Sequence, residues 1–275
     1  MADRSILITG ASSGIGFAAA ETMSRRGWRV LATARKAEDL EKLSRKVGVD
    51  ALELELADPV SVEACANKAL ELTDGRIDAI FNNAAFGQLG AVEDLSADLL
   101  RHQFEVNVFG GHDLTCRIIP QMRVRGAGRI VQCSSVLGLV AGRFRGAYCA
   151  TKFALEGLSD AMRLELRDTG IHVSLIEPGP IRSRFVENAL HRLKATIDME
   201  TSPHRTAYKA RLAQLEAGGR ETFKLEPEAV VEKLIDAVES RRPKPRYFVT
   251  TPTYAADVLR RVLPTRLLDR ILLAQ

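Results

Sequence analysis

An α/β fold, built as a doubly wound parallel sheet, is the architecture that this 275-residue sequence predicts. Two observations carry it. Short β-branched or aliphatic runs alternate with helix-length amphipathic segments, and such alternation builds a parallel sheet covered by helices on both faces. A glycine-rich turn, TGASSGIG at 9–16, sits directly between the first run and the first helix. Right-handed crossovers in a Rossmann-like sheet place a nucleotide at such a turn.

The runs SILIT (5–9), RVLAT (29–33), ALELEL (51–56), DAIFN (78–82), RIVQCS (129–134), IHVSLIE (171–177) and RYFV (246–249) read as strands. The intervals 14–26, 59–73, 96–122, 148–168 and 227–240 have helical length and period. Alternation lapses from about Pro180 to Lys224, a mixed-charge stretch with loop signals TSPH (201–204) and AGGRE (217–221) and no strand candidate. Because a helix and a strand follow, the interval 184–224 reads as a helical lid on a single domain spanning 1–275. The tail 255–275 reads as two short amphipathic helices broken at Pro264. Val258, Leu259, Val262 and Leu263 share one face, and Leu267, Leu268, Ile271 and Leu272 repeat it beyond the proline. Such a tail packs on the body, packs on a second subunit, or lies peripherally on a membrane.

Composition sets limits on function. The chain is 46% hydrophobic and 27% charged, as globular domains are. Its opening, MADRSILITG, lacks the features of a secretory signal, and no apolar run approaches a membrane span, so a cytoplasmic protein is expected. Four scattered cysteines and five histidines show no ligand spacing, so no metal is expected. The net charge of +4 divides into +6 over 241–275 and −2 over the rest. A mildly acidic body is not the footprint of a nucleic-acid binder.

The glycine turn and the second strand point to a dinucleotide. Gly10, Gly14 and Gly16 let the backbone approach a pyrophosphate, and the helix that opens there offers it free N–H groups. An acidic residue about twenty positions on would bond an NAD ribose hydroxyl. Here Ala34 occupies that place and Arg35 and Lys36 follow it. A guanidinium pairs with phosphate in a bidentate way, which favours NADP over NAD and Arg35 as the 2′-phosphate contact.

The stretch AYCATKFALEG (147–157) sets Tyr148 and Lys152 four residues apart, on one side of a helix. FNNAAFG (81–87), FEVNVFG (104–110), RIVQCSSVLG (129–138) and EPGPIRS (177–183) complete a set. With these in view the chain resembles the short-chain dehydrogenase/reductase family over roughly residues 5–185. The stretches NNAAFGQLGAVEDLS, GAYCATKFALEGLSDAMRLEL and VSLIEPGPI are similar to its branch of 17β-hydroxysteroid and retinol dehydrogenases.

The resemblance implies roles. Tyr148 is the general acid that protonates a carbonyl oxygen, or the base in the oxidative direction. Lys152 favours the phenolate, lowering the tyrosine pKa, and holds the nicotinamide ribose. Ser135 donates to the substrate oxygen, and Asn107 holds a water that links the lysine to solvent. Cofactor contacts carry over to Gly10, Ser12, Ser13, Gly14, Ile15, Gly16, Asn83, Ile181 and Ser183, and the family is often dimeric or tetrameric. Three departures stand out. Ala85 replaces a glycine and would be strained at a positive φ. Glu55 stands for an adenine-binding aspartate, and Ser183 for a threonine.

These readings converge on an NADP-dependent oxidoreductase that interconverts a ketone or aldehyde with an alcohol. Phe185, Leu190, Leu193, Met199, Tyr208, Leu212, Leu215 and Phe223 in the lid suit a lipophilic, steroid- or retinoid-like substrate, although helical packing explains the same residues. The rivals are a 3-oxoacyl-thioester reductase and a non-catalytic NADPH-sensing module.

Overall fold

The computed structural model describes residues 4–216 and 222–273, of which 214–216 are described in backbone only. The loop signal AGGRE and the Leu215 side chain therefore lie outside the described residues. Seven parallel strands run in the order β3-β2-β1-β4-β5-β6-β7. They are β1 (Ser5–Ile8), β2 (Arg29–Ala34), β3 (Asp50–Glu53), β4 (Ala79–Asn82), β5 (Gly128–Cys133), β6 (Ile171–Glu177) and β7 (Arg246–Phe248). The order reverses between β1 and β4, and that switch point opens a crevice at the carboxyl ends of the strands.

Alternate side chains of each strand enter separate cores, the pattern of a sheet buried on both faces. Ile6, Ile8, Phe81 and Ile176 meet α1 (Gly14–Arg25) and α9 (Glu228–Glu239) through Met23 and Leu234. Leu7, Leu31, Ile80 and Ile130 meet α3 (Pro59–Leu72) and α5 (Gly110–Arg125) through Val62 and Leu114. Local signals set the helix ends. Asp58 caps α3 by accepting the Val60 N–H at 3.0 Å, with Pro59 in the first helical position. Ser96 caps α4 (Ala97–Phe104) through the Leu99 N–H at 3.2 Å. Gly126 ends α5 in the left-handed region.

The expected helix over 96–122 is two helices, α4 and α5, joined by a π-helical turn at Glu105–Phe109 that contains Asn107. The extra residue of that turn is invisible to an apolar period. The third strand stops at Glu53, which leaves Glu55 in the crevice beyond it. The remaining helices are α2 (Ala37–Lys42), α6 (Gly146–Glu165), α7 (Phe185–Thr196), α8 (Arg205–Glu216), α10 (Thr251–Val262) and α11 (Thr265–Leu273).

The lid is helical, as expected, being formed by α7 and α8. Leu193 and Tyr208 are buried in a small core of their own with Leu89, Ala189 and Ile197. The Tyr208 hydroxyl donates to Asp94 at 2.7 Å and accepts the Ala91 N–H at 2.6 Å. Packing thus accounts for several of the apolar lid residues. The tail breaks at Pro264, and α10 buries Thr253, Ala256 and Asp257. Asp257 pairs with Arg261 at 3.1 Å. Val258 and Val262 are exposed, and α11 buries no residue. Among the described residues no helix is long and apolar enough to cross a membrane.

Candidate active site

The glycine turn is locked to the end of β4. Asn83 Nδ2 donates to the Thr9 carbonyl at 3.0 Å and to that of Gly10 at 3.3 Å. Thr9 Oγ1 accepts the N–H groups of Asn83 at 2.9 Å and Ala84 at 3.0 Å. Two glycines are required by this geometry. Gly10 has φ +69° and an added Cβ would lie 2.8 Å from Ala84 Cα, while a Cβ on Gly16 would overlap the Gly10 carbonyl. Ser13 is the α1 N-cap, yet its side chain accepts no first-turn N–H. The helix start keeps donors for an anion, with Ser12, Gly14 and Ile15 beside it, and these residues fit a dinucleotide pyrophosphate.

Asn83 thus spends its amide on the turn, and Thr9 is a residue that sequence reasoning missed. Ala85 needs no positive φ, so the anticipated strain is absent. Ser183 reaches the same turn, its Cβ lying 3.2 Å from where a Cβ on Gly14 would stand. Ile181 bridges to Leu225, which ties the two roots of the lid together. At the end of β2, Arg35 pairs with Glu55 at 3.5 Å, so the two proposed adenosine contacts are neighbours.

Tyr148 and Lys152 share one face of α6, as their spacing predicts. The Lys152 ammonium lies 5.5 Å from the Tyr148 ring centroid and donates to the Cys133 carbonyl at 2.6 Å. Ser135, at the carboxyl end of β5, is close enough to the Tyr148 phenol to favour its ionised form. Its Oγ also accepts the Leu137 N–H at 3.1 Å. Asn107 is buried, with Oδ1 accepting the Phe86 N–H at 3.0 Å. Its Nδ2 donates to the Phe86 carbonyl at 2.9 Å and to Thr151 Oγ1 at 3.3 Å. A small polar cavity lined by Thr9, Asn82, Asn107, Gln132 and Lys152 lies behind the lysine.

The electrostatics differ from expectation. Burial pushes the Tyr148 phenol well above its ordinary value, the nearby Cys133 thiol adding to this, while the Ser135 hydroxyl and the Arg145 charge oppose it. The edge of Phe185, on α7, contributes to that covering at 5.2 Å between ring centroids. Lys152 is itself shifted down by burial. Arg145 is a further cation that bears on the phenol, another residue missed from sequence. Its only signal is a position three residues before Tyr148. Phe144, just before it, holds a left-handed φ of +60° while its ring packs 5.1 Å from Tyr208.

Comparison with known proteins identifies the family. A family profile described as short chain dehydrogenase matches residues 4–194. The chain is 44% identical to the oxidoreductase YbbO of Escherichia coli over 98% of its own length and 94% of YbbO. It is 34% identical to human 17-beta-hydroxysteroid dehydrogenase type 1, covering 91% of this chain and 78% of that one. To human retinol dehydrogenase 8 it is 33% identical, over 88% and 80% of the two.

Among solved structures, a short-chain dehydrogenase from Sphingobium yanoikuyae in complex with NADPH superposes with a TM-score of 0.70 at 27% identity. That match covers 89% of this chain and 87% of the other. One from Burkholderia phymatum in complex with NAD gives 0.78 at 26% identity, covering 93% and 92%. The chain is an oxidoreductase that belongs to the short-chain dehydrogenase/reductase family, within which it is similar to the 17β-hydroxysteroid and retinol dehydrogenases.

Proposed function

We propose that the chain is an NADP-dependent oxidoreductase that interconverts a ketone or aldehyde with an alcohol on a lipophilic, steroid- or retinoid-like substrate. The observation that carries this reading is the convergence of Ser135, Tyr148 and Lys152 at the carboxyl edge of the sheet, beside a glycine turn suited to a pyrophosphate. A bound nicotinamide supplies the hydride. The chain's own residues do the rest. Ser135 donates to the substrate oxygen and stabilises the charge that collects there. Tyr148 gives that oxygen its phenolic proton in reduction and takes it back in oxidation. Lys152, held by the Cys133 carbonyl, sets a positive charge beneath the tyrosine, and Asn107 positions the segment that follows β4.

NADP is favoured over NAD by Arg35 and by the absence of a carboxylate at Ala34. A lipophilic substrate is favoured by Phe185, whose ring lies against that of Tyr148 at 5.2 Å between centroids. The similarity to enzymes named for steroid and retinol substrates points the same way. A homodimer or tetramer in the cytoplasm completes the proposal. The exposed residues of α10 and α11 form the surface that a second subunit or a membrane would cover. The test is purified protein with NADPH or NADH against steroid, retinoid, acyl-thioester and simple carbonyl compounds. NADPH-linked turnover of a lipophilic carbonyl is expected. A preference for NADH overturns the cofactor reading, and a preference for acyl-thioesters overturns the substrate reading.

A further inference from the structure

Behind Ser135 lies a buried cluster of charge that stands outside the proton-transfer chemistry. Arg246, on β7, donates through one amino group to Glu156 of α6 and, at 2.7 Å, to Glu177 of β6. Its other amino group donates to Asp160 at 2.6 Å, and Arg163 reaches the same carboxylate at 3.1 Å. Glu156 and Glu177 are both buried, the second completely. Their other oxygens, Glu156 Oε1 and Glu177 Oε2, are buried without a hydrogen-bond partner among the described residues. Three carboxylates thus meet two guanidinium groups. Asp257, whose charge also bears on Glu177, is matched by Arg260 at 3.4 Å and Arg261 at 3.1 Å. Buried carboxylates that outnumber their cations do not all ionise, and one of them keeps a proton. In agreement, burial first and the Glu156 charge second push the Glu177 carboxyl up to about 8.

The cluster joins the elements that carry the reacting groups. Glu156 lies one helical turn beyond Lys152 on α6, as Lys152 lies one turn beyond Tyr148. Glu177 stands between the two carbonyls that hold the Ser135 segment. The Ser134 N–H donates to Ile176 at 2.7 Å, and the Val136 N–H to Pro178 at 2.8 Å. A Cβ on Gly138 would stand 2.7 Å from Ser134 Oγ and 3.1 Å from Glu156 Oε1, so the turn after Ser135 closes on the same carboxyl group.

We propose that Arg246, Glu156 and Glu177, with one proton retained between the two carboxyl groups, form a clamp that positions Ser135 against Tyr148. All three are positioning residues, acting through the ends of β6 and α6. This rests on the carbonyl–alcohol reading above, in which Ser135 and Tyr148 touch the substrate. Loss of the retained proton in alkali sets two buried anions against one guanidinium fork, and their repulsion loosens the alignment.

The test compares the parent with E156Q, E177Q and R246K by infrared spectroscopy and by kinetics. At neutral pH the parent is expected to show the carbonyl band of a buried carboxylic acid, which disappears in alkali. E156Q and E177Q should each remove that band, because the remaining anions then match the cations, and R246K should keep it. Kinetics use whichever carbonyl compound of the panel above the parent reduces fastest. The parent's kcat is expected to fall above about pH 8, by up to about tenfold per pH unit, while that of E177Q stays flat there. R246K keeps the charge and loses the fork, and is expected to lower kcat by about tenfold to a hundredfold with KM near that of the parent. A parent without the acid band, or a band that survives in both glutamine variants, overturns the retained proton. A parental alkaline limb in E177Q, or parental kcat in R246K, overturns the clamp while the parent's turnover stands. A parent that reduces no carbonyl compound overturns the reading beneath together with the positioning role, and leaves the infrared result standing by itself.

Discussion

Asn107 holds both backbone polar groups of Phe86, accepting its N–H at 3.0 Å and donating to its carbonyl at 2.9 Å. One amide side chain thus does for the loop after β4 what a neighbouring strand would do for a longer β4. The π-helical turn that carries Asn107 sets it opposite that loop. Asn107→Leu would leave the Phe86 N–H without this partner, while the carbonyl keeps its bond from Gln103 Nε2 at 2.5 Å, and an unpaired buried N–H costs about 1–3 kcal/mol. A fall in Tm with weakened dinucleotide binding is expected. A variant with unchanged Tm and affinity would show that the amide is dispensable.

Loss of the phenol tests the proton transfer directly. Tyr148→Phe is expected to lose turnover by about two orders of magnitude or more, the usual worth of general acid catalysis. NADPH binding, read by fluorescence titration, is expected to persist. Turnover near that of the parent would remove Tyr148 from the mechanism.

The direction of the Tyr148 shift sets a pH signature. With its pKa raised by burial, the phenol is protonated at neutral pH, the form needed for reduction. Reduction is expected to be flat between pH 6 and 8 or so, while oxidation rises by about tenfold per pH unit as the phenolate fraction grows. Phe185→Ala uncovers the ring and is expected to move the oxidative profile to lower pH. An oxidative rate independent of pH would contradict the assignment of Tyr148 as base.

Arg35→Ala should erode the preference for NADPH by reducing affinity for that cofactor and sparing NADH. Dissociation constants for the two cofactors read this without turnover. An unchanged ratio would move the source of selectivity away from β2.

Core truncation supplies a stability control. Leu114 is fully buried in the core between the sheet, α3 and α5. Leu114→Ala is expected to destabilise the fold by about 2–5 kcal/mol, because the cavity closes only partly. Denaturant unfolding checks the value.

The sheet and the juxtaposition of Tyr148 with Lys152 were legible because each rests on short-range spacing. Alternating runs announce strands, and Tyr148 and Lys152 meet because four residues make about one helical turn. Ser135 could be placed because it follows a strand directly. The contacts that depend on distant segments were not legible. Thr9 reaches Asn83 across the switch point, and Phe86 meets Asn107 and Arg192 from two different helices. Arg145 adds a second positive charge near the phenol, one that no motif spacing announces. The part of the tail that meets the body was not marked, for a similar reason. Thr253, Ala256 and Asp257 are small or paired, and no hydrophobicity pattern marks them as the face that meets the body.

The lattice of hydrogen bonds joining Thr9, Gly10, Asn83 and Ala84 makes the pyrophosphate cradle and the end of β4 a single rigid fitting. Arg35 has no bond in that lattice. On the proposal that Arg35 selects the coenzyme, an engineer wishing to exchange one nicotinamide coenzyme for the other would rewrite the tip of the second strand and leave the fitting untouched. Stability and coenzyme choice would then be separately adjustable.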